Sequence, residues 1–108
     1  MSVFYVAQWS VAEPDHAACE EAVVRLAEHV RSAHPGIRTV RTLRQAWGPL
    51  PRRAYIWVEE FESLSAMDAE PETPECNAAW QPIHDLSLAA TFTGSVWTDP
   101  QRAVWFEN

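Results

Sequence analysis

A chain of 108 residues that is 47% hydrophobic carries material for one modest core and is not a disordered tail. Its net charge of −7 repels nucleic acid, and the absence of any lysine excludes a Schiff base or a covalent pyridoxal phosphate link. Three scattered glycines, Gly36, Gly48 and Gly94, can build neither a P-loop nor a dinucleotide fingerprint. No apolar run approaches the ~20 residues that span a bilayer. The start, MSVFYVAQWS, lacks the positive region of a signal peptide, so the expectation is a cytoplasmic protein with one domain over 1–108 and no membrane contact. Cys19 and Cys76 make no disulfide framework.

Val3 to Trp9 reads as a first strand, β-branched and aromatic with no breaker. A helix follows, with Pro14 in its first turn and acidic neighbours to meet the free amides. Cys19, Ala22, Val23, Leu26, Ala27 and Val30 recur at helical spacing as one apolar stripe, and Pro35-Gly36 stops it. Ile37 to Trp47 reads as a second strand, although Arg38, Arg41 and Arg44 blur its alternation. A turn over Gly48 to Arg53 joins it to a third strand, Ala54 to Phe61, as an antiparallel hairpin.

Two short helices are predicted next, near 63–70 and 74–81. Ser65 with Asp68 suggests a cap for the first; Thr73 caps the second, Pro74 opens it and Pro82 ends or bends it. Leu88 to Thr98 reads as a fourth strand, with Gly94 a bulge or a close approach. In the tail 99–108, Trp105 and Phe106 are too apolar to hang in water, so it is expected to pack on the domain or on a partner.

The order β-α-β-β-α-β predicts an α+β, ferredoxin-like fold: a four-stranded antiparallel sheet with its helices on one face. The first and third strands are apolar on both faces, with Phe4, Val6, Ile56 and Val58 on one and Tyr5, Trp9, Tyr55 and Trp57 on the other. A homodimer with sheets packed face to face would cover the bare side.

The stretch YIWVEEFESLSAM, with Phe61-Glu62-Ser63 at the strand-to-helix junction, resembles the dimeric α+β barrel superfamily. That superfamily includes the antibiotic-biosynthesis monooxygenases, the heme-degrading monooxygenases, the NIPSNAP-like proteins and the stress-responsive A/B-barrel proteins. The resemblance in element order covers residues 3–98. It implies a dimeric barrel with a cavity between sheet and helices. The family's cofactor-independent oxygenases commonly carry an asparagine and a tryptophan four apart on the third strand, and the matching positions here are Trp57 and Phe61. Heme-degrading members carry a histidine in the second helix; that place falls near Trp80 or Gln81, and the nearest histidine is His84.

If Phe61 packs under the second helix, as the junction implies, alternation puts Glu59, Trp57 and Tyr55 on the cavity side. Aromatic surroundings would raise the Glu59 pKa and make it a general acid or base, unless Arg41 neutralises it across the hairpin. His84 is the second candidate proton carrier. Arg41, which shares its strand parity with Leu43 and Trp47, would hold an oxyanion or carboxylate. Tyr55, Trp57, Trp80 and Phe61 would line the cavity, where flat walls suit a planar, polyketide-like aromatic metabolite. No cofactor is expected. No metal is expected either, because His29 and His34, five apart, splay on a helix and no acid-histidine cluster has metal-site spacing. The expected function is monooxygenation, or cyclisation or isomerisation by proton transfer; the alternative is a non-catalytic dimeric module that binds a small molecule or serves structure.

Overall fold

The computed structural model describes residues 2–48 and 54–108, so Arg52, Arg53 and most of the predicted turn lie outside the described residues. The chain forms β1 (Val3–Ser10), a 3-10 turn over Glu13–Asp15, α1 (His16–Ala33), β2 (Thr39–Arg44), β3 (Ala54–Phe61), α2 (Leu64–Ala69), α3 (Pro74–Leu86) and β4 (Thr93–Thr98). The strands pair antiparallel throughout in the order β2-β3-β1-β4. This is the α+β, ferredoxin-like fold.

Strict alternation along β3 produces the layering. Tyr55, Trp57, Glu59 and Phe61 are buried under the helices, and Ile56, Val58 and Glu60 are only partly covered. Ala7, Trp9, Trp57 and Tyr55 meet Cys19, Ala22, Leu26 and Val30 from α1 and Ile83 from α3. Trp9 anchors this core: its ring stacks on Tyr55 at 5.8 Å and on Phe92 at 6.0 Å, and its indole N–H donates to Cys19 Sγ at 3.4 Å.

Four expectations are corrected. Pro82 does not end α3, which runs on to Leu86 because fully buried Ile83 and partly buried Leu86 pack into the core beyond it. The α2 cap is Ser63, not Ser65; its hydroxyl accepts from the Ala66 amide at 3.0 Å. The fourth strand starts at Thr93 rather than Leu88, because 88–91 closes a turn in which Ala90 takes φ 61° and Thr91 N–H donates to Leu88 O. The second strand is shorter than Ile37–Trp47, and Trp47 beyond its end is 90% exposed.

Gly94 is a close approach, not a bulge. It pairs in register with Ala7, and a Cβ there would sit 2.8 Å from the Tyr5 hydroxyl. The tail does not pack on its own chain: Val104, Trp105 and Phe106 are 88%, 80% and 73% exposed. Among the described residues no helix is long and apolar enough to cross a membrane.

Candidate functional site

A cleft of about 300 Å³ opens between the sheet and α3, lined by Tyr5, Glu72, Asn77, Trp80, Gln81, His84 and Phe92. Helical spacing explains the α3 contribution, since Asn77, Trp80, Gln81 and His84 fall three or four apart on one face. Thr73 fixes the start of that helix by accepting from the Cys76 amide at 3.1 Å, with Pro74 in its first turn. The aromatic wall is continuous. Trp80 sets its edge against Trp57 at 5.5 Å and against Phe92 at 5.9 Å, and the His84 imidazole lies over Phe92 at 4.5 Å. Gln81 donates its amide to Asp85 Oδ1 at 2.7 Å, leaving its carbonyl oxygen free to accept.

The residues singled out in the sequence separate into groups. Trp80 and His84 line the cleft. Trp57 touches it only through Trp80, from a fully buried position. Phe61 is buried at the end of β3 and does not line it. Tyr55 belongs elsewhere: its hydroxyl donates to Glu20 Oε2 at 2.8 Å and lies 2.7 Å from His16 Nδ1, while Arg44 donates to the same Glu20 oxygen at 2.9 Å. Burial and then that carboxylate push the Tyr55 hydroxyl well above the ordinary phenol range.

Arg41 does not point inward. It stands opposite Val58 in the β2–β3 register, on the face away from the helices, whereas the residue opposite Glu59 is Val40. Arg41 therefore neither neutralises Glu59 nor reaches the cleft. Arg44, on the inward parity, makes the contact with α1 instead.

Glu59 is 8% exposed and faces Tyr5 directly across β1 and β3, one position behind the cleft wall. Desolvation pushes its carboxyl up to about 7, opposed by the nearby Trp57 indole and by His34 and reinforced by Glu70. Burial and the Glu59 charge together raise the Tyr5 hydroxyl, which stays protonated and able to donate.

A second cluster lies where the end of α1 meets the start of α3. His29 and His34 do not splay, because His34 has left the helix as its C-cap; their rings are 5.4 Å apart at 65°. One ring nitrogen from each and Cys76 Sγ all lie within 4.8 Å of one another. Burial, Glu59 and Glu72 raise the Cys76 thiol, which makes it a poor free nucleophile. The sequence reading missed Tyr5, Asn77 and Phe92 as lining residues and missed this cluster. The signal for Asn77 was present, one helical turn before Trp80.

Residues 2–81 match the antibiotic biosynthesis monooxygenase family. Among solved structures, a candidate antibiotic biosynthesis monooxygenase from Caulobacter crescentus is similar with TM-score 0.73 and 20% identity, over 89% of this chain and 87% of that one. SnoaB, a cofactor-independent oxygenase from Streptomyces nogalater, gives TM-score 0.72 and 19% identity over 94% and 95%. A dimeric ferredoxin-like protein of unknown function from Jannaschia gives 0.71 and 16% over 91% and 99%. Identities this low show shared fold alone. Comparison with curated proteins finds no match to the chain.

Proposed function

Since the chain belongs to the antibiotic biosynthesis monooxygenase family, we propose that it oxygenates a small, planar, phenolic metabolite in the cleft under α3, as a homodimer and without an organic cofactor. The observation that carries this reading is the cleft itself: about 300 Å³, walled by Tyr5, Trp80 and Phe92, with His84 at its edge. Aromatic walls favour a flat ring, and a few polar groups around them fix its orientation.

The chemistry follows from the groups that reach the cleft. His84 takes a proton from the activated CH₂ of the phenolic substrate. The carbanion passes one electron to dioxygen, and the radical pair combines to a peroxide. Loss of water leaves a carbonyl, so one O₂ is consumed and one H₂O released for each CH₂ converted to C=O. The Tyr5 hydroxyl donates to the oxygen on which charge collects. Glu59 does not touch the substrate in this scheme; it acts through Tyr5, whose proton its charge helps to hold. The proton-transfer half of the scheme alone would give isomerisation or cyclisation.

Oxygen uptake with a hydroxylated tricyclic ketone carrying an activated CH₂ tests the reading. Wild-type protein should consume oxygen in step with product. His84→Gln should lower kcat by about 10²- to 10⁴-fold, the usual worth of a positioned base. Trp80→Ala should chiefly raise KM. Full activity in His84→Gln would overturn the assignment of the base, and no binding or uptake across a panel of phenolic aromatics would return the chain to a non-catalytic dimeric module.

A further inference from the structure

The cluster at the end of α1 is unused by the chemistry above. α1 stops at Ala33, and His34 takes φ −127° and ψ 73° while its amide still donates to Val30 O at 2.9 Å. The chain thus turns back on its last helical turn and lays the His34 ring against His29. Cys76 reaches the same point from the first turn of α3. We propose that His29, His34 and Cys76 form a binding site for a thiophilic divalent cation of the zinc class.

The hydrogen bonding fixes which nitrogen is available. His34 Nδ1 lies 3.0 Å from Glu70 Oε2, and a carboxylate can only accept, so Nδ1 carries a proton and Nε2 is the nitrogen that a cation would take. That Nε2 is buried with no partner, on a side chain 4% exposed. His29 Nε2 is also buried and unpartnered. Orphaned buried polar atoms are destabilising, and two on the histidines that cluster with one thiol call for a common partner.

Glu70 is itself held in place. Its other oxygen accepts from the Gly36 amide at 2.7 Å, and a Cβ at residue 36 would collide with the carboxylate. A carboxylate behind a ligating histidine is the outer-shell arrangement that orients imidazole toward a metal.

The donor set selects the ion. Two imidazoles and a thiolate suit zinc or cobalt and disfavour magnesium or calcium, which take oxygen. Bond lengths of about 2.0–2.3 Å place tetrahedral donors roughly 3.5 Å apart, so the group must close by about 1 Å on loading. Binding displaces the Cys76 thiol proton. Three protein ligands leave one coordination position open.

Chelator-treated full-length protein titrated with Zn²⁺, read by native mass spectrometry, and with Co²⁺, read by absorption, tests the site. One ion per chain at micromolar or tighter affinity, with a thiolate-to-cobalt charge-transfer band, is expected. Cys76→Ser should abolish the band, Glu70→Gln should weaken binding by about 10- to 100-fold, and Cys19→Ala should change neither. His29→Gln, on a partly exposed side chain, supplies a second ligand variant, and circular dichroism checks that each variant is folded. A missing band, a band that survives in folded Cys76→Ser, or affinity no tighter than millimolar would overturn the proposal.

Discussion

An ionised Glu59 must place a full charge beside Trp57 at 8% exposure, opposite Val40, while the inward arginine of the hairpin, Arg44, is paired with Glu20. The fold therefore favours the protonated carboxyl, moving its pKa from 4.5 to about 7. The folded state holds the proton more tightly than the unfolded state, so this contribution is complete below pH 4.5 and is lost as pH rises to about 7. Its size is about 3 kcal/mol. In chelator-treated protein, Glu59→Gln should flatten the fall in Tm between mildly acidic and mildly alkaline pH and should be the more stable form at the alkaline end. Thermal denaturation of both proteins across that range checks it; parallel curves would show that Glu59 ionises without cost. The inward face of β3 was legible because its alternation from Tyr55 to Phe61 is unbroken. Arg41 was not legible, because β2 mixes arginines with apolar residues and its facing depends on pairing register, which places it opposite Val58. His34 was not legible because spacing along a helix says nothing once the residue is a cap.

At the scale of elements, local signals placed β1, α1 and β3 to within a few residues, since each carries one period from end to end. They failed where tertiary packing opposed a local rule. Pro82 lacks the N–H that would bond to Ala78 O, and an interior proline ordinarily costs about 3 kcal/mol. α3 continues because Ile83 is completely buried and the Ser87 hydroxyl and amide both return to Ile83 O, at 2.7 and 3.0 Å. The Leu88–Phe92 stretch looked like strand by composition, but Ala90 takes a left-handed conformation there and Leu88 N–H donates to Ser10 O. Pro82→Ala should restore one helical hydrogen bond and give up some rigidity in the unfolded chain, for a net gain of about 1–2 kcal/mol. Urea denaturation measures this. A loss of stability would mean that the proline ring contributes packing which alanine cannot replace.

For the whole molecule, the unsolved surface is the sheet face away from the helices. Phe4, Val6, Ile56 and Val58 are only half-covered there, Leu43 is 46% exposed and Trp97 60%, and the tail adds exposed Trp105 and Phe106. A second copy would close that face with the same residues on both sides, as a twofold interface requires. A standard interface removes about 800 Å² from each partner, comparable in scale to one face of a small sheet. Charge works against the pairing, because each chain carries −7 and two bodies of like charge repel. The proposed dimer would therefore be held by apolar burial, and its affinity should rise with added salt as the repulsion is screened. Val58→Asp places a new carboxylate at the centre of the face, opposite Val6 on β1 and Arg41 on β2, and should give a folded monomer. Removing 99–108 should weaken the dimer less, unless the tail crosses to the partner, when the loss would match that of Val58→Asp. Sedimentation equilibrium at low and high salt distinguishes these outcomes, and a wild-type monomer at every salt concentration would leave the open face without the partner argued for it.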